Sequence, residues 1–386
     1  MSELSLSLST KKAGREPASD IFVIKGTSGA DEGFERLNEL MYKKGTIFYN
    51  SDKKGYLKRP GGMISSNDMV LIKVNSQWDE RGGTNTDLVK NIIETIIHHP
   101  DGFDGEIVVA DNGQDQYGAS GNGGCLDWEN NNAFNKSQSI QDVVDEFSNE
   151  SHVSTYLWDK ITNNVVEEFA EGDNDDGYVV NRNVIPDTST IVTYPKFTTK
   201  YGTRLSFKYG SYLPEKNDYD LDKLKVINVP VLKSHSIFGV TGAIKSYMGV
   251  PSDKITRSLG YRAHNSVDKG GMGTLMAQTR VPTLNILDAI YVNARPCEGP
   301  RTSYEDATKQ EVIAASRDPV ALDYWGSKNI LCKLCEKLTG KIHNSLKPDN
   351  SEKGSFGSWL RLSMNELNSS IYEFTCEADR INVYPA

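Results

Sequence analysis

The chain has 386 residues, a formal net charge of −9 and a sequence pI near 5.3. Its basic residues cluster only in short patches such as Lys53-Lys54 and Lys58-Arg59, which argues against a nucleic-acid or anionic-membrane partner. No apolar stretch approaches the roughly 20 residues that span a bilayer, so no membrane crossing is expected.

Residues 1–19, MSELSLSLSTKKAGREPAS, lack an apolar segment behind a basic start and read as a disordered lead rather than a secretory signal. The five cysteines are an odd number and mostly far apart, as expected of reduced thiols in a cytoplasmic protein. IFVIKG (Ile21–Gly26) predicts a first strand, Asp31–Lys44 a helix, and Thr46–Tyr49 a short extended piece. MVLIKVN (Met69–Asn75) is the length and composition of a buried strand. Thr84–His99 predicts a helix capped by Thr84 or Thr86, with Leu88, Ile92 and Ile96 on one stripe. EIVVAD (Glu106–Asp111) is a further strand. The strand–helix–strand unit has the length of a right-handed crossover, so the two strands should be parallel.

From 114 to 222 the composition turns to Asn, Asp, Gly and Ser. Helices are predicted at Ile140–Glu150 and Val153–Lys160, with short strands around Tyr178 and Ile191. Val226–Leu232 is an apolar, β-branched strand, followed by a glycine-bearing, helix-compatible segment from Ile237 to Met248. Thr283–Ile290 and Glu311–Ser316 predict two more strands. Asp318 then caps a helix that begins at Pro319, and the tail reads as one or two helices and an extended end. The expected fold is α/β: a mostly parallel, Rossmann-like sheet with flanking helices. Segments 20–113 and 223–330 form its two parts, 114–222 an inserted subdomain or lid, and 331–386 a helical C-terminal extension.

Four predicted strands place polar side chains near their carboxyl ends: Lys73 and Asn75, Asp111 and Asn112, Lys233 and His235, and Arg317 and Asp318. Parallel sheets bind ligands beyond those ends, so a shared polar crevice is expected. Lysines are depleted from buried strand ends unless paired, which points Lys73 and Lys233 towards an anion. Asp288 lies inside an apolar run and needs a partner or a raised pKa. Gly239, Gly242 and Gly249 clear side chains from the segment carrying Lys245, allowing a ligand or another backbone to approach. Histidines are natural acids and bases near neutrality and frequent metal ligands, which singles out His235 and His264. Cys332 and Cys335 form a lone CxxC in a segment that reads as helix.

IKVNSQW with TNTDLVKNIIE, then EIVVADNG, INVPVLKSHSIFGVTGAIKSYMG, LNILDAI and ASRDPVALD resemble, in that order, domain-of-unknown-function family 362. The likeness spans Met69 to Trp325, interrupted by the insertion. The family is prokaryotic and is sometimes associated with iron–sulfur ferredoxin modules, implying a ferredoxin-like partner. The ferredoxin cysteine pattern is not present here. The block from His235 to Lys245 is also distantly similar to nickel-pincer lactate racemases. That likeness implies an acid/base role for His235, cofactor tethering for Lys245 and nickel ligation for His264. Departures are the longer spacing to His264, the lack of an upstream histidine near Asp111, and Met248-Gly249 in place of Pro-Gly.

Three functions follow as expectations. In the first, an enzyme or cofactor-binding protein does acid/base or metal-assisted chemistry on a small anionic metabolite. His235, His264 and Lys245 act, Lys73, Asn75, Lys233 and Arg257 hold the anion, and Asp111, Asp288 and Asp318 orient the cations. In the second, an electron-transfer or metal-handling accessory protein binds iron through Cys332 and Cys335. In the third, the crevice is an anion-binding module without turnover. A bound metal, nickel or iron, belongs to the first two.

Overall fold

The computed structural model describes residues 18–114, 124–369 and 372–386. Most of the expected lead, residues 1–17, lies outside them, as does much of the glycine-rich run after Gln114.

In chain order the first part holds β1 (Ser19–Lys25), α1 (Gly33–Lys43), a short pair β2 (Tyr49–Asn50) and β3 (Lys58–Arg59), and β4 (Met69–Lys73). These are followed by α2 (Thr86–Ile97), β5 (Glu106–Asp111), α3 (Ile140–Phe147) and β6 (Val153–Leu157). A second set of strands is β7 (Val165–Val166), β8 (Gly177–Ile185), β9 (Thr190–Thr198), β10 (Arg204–Ser206), β11 (Gly210–Leu213) and β12 (Asp218–Asp220). Next come β13 (Leu224–Asn228), β14 (Lys233–His235), β15 (Gly239–Thr241), α4 (Ala243–Ser246), α5 (Asp253–Ser258) and α6 (Gly271–Gln278). The chain continues through β16 (Leu284–Val292), β17 (Thr308–Ser316), α7 (Pro319–Gly326), α8 (Cys332–Thr339), α9 (Phe356–Asn368) and β18 (Ile381–Pro385).

The large sheet has the order β18-β1-β17-β16-β13-β4-β5-β6. β17 pairs antiparallel with both β1 and β16, whereas the other pairings in this sheet are parallel. Alternate strand residues face opposite sides of a sheet, and the buried side chains sort accordingly. Phe22, Val70, Ile72, Val109 and Ile286 pack with Phe34, Leu88, Ile92 and Val143 from α1, α2 and α3. Ile21, Leu71, Val108, Val226 and Leu287 face the other way, onto Met272, Leu322 and Leu360 from α6, α7 and α9. Tyr178, Val192, Phe197 and Phe207 of the second region enter this same core. The six-stranded sheet β12-β11-β10-β9-β8-β7 is thus packed onto the α/β body.

Local expectations are revised at four places. Val153–Lys160 is not a helix: Val153–Leu157 pairs in parallel with β5 as an edge strand, a conformation that suits its β-branched Val and Thr and its Tyr. The cap of α2 is Asn85, whose side chain accepts from Leu88 N (3.0 Å). The segment Ile237–Met248 is not one helix. Gly239 takes φ +79° and Gly242 is extended, leaving the β14–β15 hairpin and a four-residue α4. β13 ends at Asn228, so Lys233 and His235 stand in that hairpin beyond the sheet.

Candidate functional site

At the carboxyl ends of β4 and β5, Lys73 and Asp111 form a completely buried ion pair at 2.9 Å. Lys73 Nζ also donates to Val74 O (2.7 Å) and Ser246 Oγ (3.0 Å), which uses its three protons. Asp111 Oδ2 accepts from Ser76 N (3.0 Å) and Ser76 Oγ (2.9 Å). Burial lowers the Lys73 pKa and the Asp111 charge opposes that shift. Gly249 lies against the pair. A Cβ there would stand 1.9 Å from Asp111 Oδ1 and 2.4 Å from Lys73 Nζ. Asn112 Nδ2 donates to Met248 O and Pro251 O, and Asn75 Oδ1 accepts from Val231 N. Lys73, Asn75, Asp111 and Asn112 therefore fasten the segments that follow β13 onto the rim of the sheet.

Those segments carry a second polar group, made of Lys233, His235, Lys245 and His264. The Phe238 ring stands at its centre. Its centroid lies 5.0 Å from the His235 ring, 5.4 Å from the His264 ring and 5.1 Å from Lys245 Nζ. His235 is 3% exposed and Lys245 4% exposed, while Ser236 and Ile237 at the hairpin tip reach solvent. His235 Nδ1 accepts from Ile237 N (3.1 Å) and Phe238 N (3.3 Å), so the ring proton resides on Nε2. His264 Nδ1 is buried without a hydrogen-bond partner. Burial holds both histidines neutral, far below the usual imidazole range, and the Lys245 charge adds to the effect.

Lys233 Nζ donates to Gly82 O (2.6 Å). Its pKa is lowered to about 7 by burial and by Lys245, against the pull of Asp288. Burial brings Lys245 to about 7 as well, opposed by Asp253 and reinforced by Lys73. The two opposing carboxylates are already engaged. Asp253 accepts from Arg262 Nε (2.7 Å) and His264 N (2.9 Å). Asp288 accepts from Asn85 N (2.9 Å), Ile290 N (3.1 Å) and Asn132 Nδ2 (3.2 Å), and burial raises its pKa to about 6. Asn132 is in turn held by Arg81, which lies 3.6 Å above the Tyr291 ring centroid.

The sequence pattern did not single out Phe238, Asp253 or Asp323. Asp323 accepts from Ala243 N and Ile244 N (3.0 Å), anchoring the start of α4 and with it Lys245. Its signal was an acid inside the apolar helix PVALDYW, a position that demands donors nearby. Gly242 is required beside it, since a Cβ would lie 2.2 Å from Asp323 Oδ1.

Other expected members stand apart. Arg257 is exposed in the last turn of α5. Asp318 caps α7 through Val320 N (2.8 Å) and Ala321 N (2.9 Å) and also bonds Ser19 and Thr375 N. Because β17 runs against β16, with Ser316 opposite Asn285, Arg317 and Asp318 emerge at the opposite rim from Asp288. They border an open cleft of about 600 Å³, together with Ser19, Lys225, Arg280 and Thr283. Cys332 and Cys335 are buried in α8, with thiols donating to Leu346 O (3.5 Å) and Lys341 O (3.4 Å). Among the described residues no three His, Cys, Asp or Glu side chains are grouped to hold a metal. The described residues therefore offer no cage of three or more such side chains for nickel or iron.

Residues 220–328 match the sequence profile of a family described as Domain of unknown function (DUF362), while no curated protein matches the chain. The matched stretch contains the hairpin, α4, α5, β16, β17 and α7, and hence Lys233, His235, Lys245, His264, Asp253, Asp288 and Asp323. Over this stretch, and through these residues, the chain is similar to the DUF362 family.

Proposed function

We propose that the Lys233–His235–Lys245–His264 cluster binds a small anionic metabolite and moves a proton on it. The observation that carries this reading is an excess of buried positive charge. Lys233 and Lys245 share one polar group without an ion pair to either among the described residues, and the carboxylates they sense are already engaged. Two like charges out of water disfavour each other, and a carboxylate or phosphate between them relieves both. His235 Nε2–H and the lysine ammonium groups are donors for such an anion. His264 Nδ1 is a free acceptor, and the charge of a bound anion offsets the burial and cations that keep it neutral, which lets it serve as the base.

Calorimetric titration with acetate, oxalate and phosphate tests the binding half. Affinity should fall as pH rises through about 7, where both lysines lose their charge, and should drop at least tenfold in Lys245→Met. Binding that ignores pH and this substitution rejects the site. Deuterium uptake beside the carboxylate of small acids in heavy water tests the proton-transfer half, and His264→Gln should abolish it. The close burial of the cluster also suits a module that holds an anion without turnover, in which case binding would occur and exchange would be absent.

A further inference from the structure

Lys73, Lys233 and Lys245 are three buried amines around one rim, and they are used differently. Lys73 Nζ has three oxygen partners, and Lys233 Nζ donates to the Gly82 carbonyl at 2.6 Å. Lys245 Nζ has no hydrogen bond among the described residues; its close neighbour is the Phe238 ring face, 5.1 Å to the centroid. A carbonyl oxygen favours the ammonium form, and the Phe238 ring face does so more weakly; without an oxygen acceptor, burial and the nearby cations leave the Lys245 lone pair available. Burial and the neighbouring Lys73 charge bring Lys245 to about 7, so a large share is free amine near neutrality.

We infer that Lys245 is a nucleophile that forms an imine with the carbonyl carbon of a small 2-oxo acid, whose carboxylate is held by Lys233 and His235. This rests on the anion-site reading above and adds to it the substrate class. A simple carboxylate or phosphate would use the positive charge and leave the unbonded amine idle. A ligand bearing both an anionic group and an electrophilic carbon uses both. The carboxylate meets Lys233 and His235 Nε2–H, and the adjacent carbonyl faces Lys245.

The step balances without an oxidant or reductant. The Nζ lone pair forms the C–N bond while the carbonyl π pair moves to oxygen. Nζ then carries an extra proton, which His264 Nδ1 takes and passes to that oxygen. A second proton follows the same route as the C–O bond breaks, so the two amine hydrogens leave with the oxygen as water. His264 ends neutral, as it began. Its Nδ1 is suited to this relay because it is buried with no other partner to displace.

The experiment incubates the full chain with glyoxylate, the smallest 2-oxo acid, and then sodium borohydride, which reduces an imine to a stable amine. Intact mass and peptide mapping read the result. The expected outcome is one reduced glyoxylate per chain, located on Lys245, suppressed by excess oxalate and at least tenfold weaker in Lys245→Arg. No adduct, or labelling spread over surface lysines to the same extent in Lys245→Arg, overturns the proposal. Mapping on the unaltered protein makes the test independent of whether the variant folds. Oxalate calorimetry separates the two layers. Oxalate binding without a Lys245 adduct rejects the imine and leaves the anion site standing, and failure of both rejects both.

Discussion

At the scale of single residues, Lys73 and Lys245 have opposite duties. Lys73 has every proton accepted and is tied to Asp111 out of water. Lys73→Met should therefore destabilise the fold by about 3–5 kcal/mol, because it strands a buried carboxylate. Lys73→Met combined with Asp111→Leu should recover part of that loss, with the remainder reflecting the acceptor taken from Ser76. Urea unfolding of the two variants checks it. A double variant no more stable than the single one would mean that the charge pair is not what matters there. Lys245, unbonded and set against an aromatic face, should behave differently. Its replacement should alter ligand affinity more than stability.

At the scale of elements, α4 is only four residues long and cannot hold itself as a helix, since nucleation alone is unfavourable. Asp323 from α7 completes its first turn. Asp323→Ala should lower stability by about 0.5–2 kcal/mol, the range for a lost helix cap, and should weaken anion binding further by releasing Lys245. Calorimetry beside thermal unfolding separates the two effects. Unchanged affinity would show that α4 keeps its place without the carboxylate. The parallel strands and α1 and α2 were legible because their apolar runs and stripes are long and uninterrupted, as in Met69–Lys73, Glu106–Asp111 and Leu88–Ile96. The hairpin and α4 were not. Their breaks depend on Gly239 meeting Ser345 O and Gly242 meeting Asp323, contacts with residues about 80 to 110 positions away that no local window contains. His235, Lys245 and His264 stood out by residue type, and the fold gathers them around one ring. Their common neighbour Phe238 did not stand out, because one aromatic in an apolar stretch carries no distinguishing pattern. The reversal of β17, which sends Asp318 to the far rim, is likewise a property of pairing and not of composition.

For the molecule as a whole, the buried ionisable groups make stability depend on pH in two directions. Asp288 and Asp318 titrate at about 6 and Asp323 at about 7 in the folded protein, all raised by burial from 3.8. Between pH 4 and 7 the folded state binds more protons through them, so their contribution to stability falls as pH rises. Lys233 and Lys245 titrate at about 7, lowered from 10.5. Between pH 7 and 10 the unfolded state binds more protons, and their contribution rises with pH. His235 and His264, held neutral in the fold, add stability as pH rises to about 6.5 and offset part of the acidic limb. These groups together predict a stability minimum near pH 6, each fully titrating group changing stability by about 1.4 kcal/mol per pH unit. Denaturation midpoints from pH 5 to 9 check this, and the alkaline limb should flatten in Lys245→Met. A midpoint highest at pH 7 would contradict the burial of these charges. Among the described residues no helix is long and apolar enough to cross a membrane. The outermost pairing of the large sheet has a different kind of consequence. β1 lies between β17 and β18, and Asp20 bonds Asn382 across 362 positions of chain. During synthesis on the ribosome, the apolar segment Ile21–Ile24 therefore waits for both neighbours until nearly all of this sequence has emerged. In that interval its unpaired edges and apolar side chains are open to misassociation, which a chaperone would prevent.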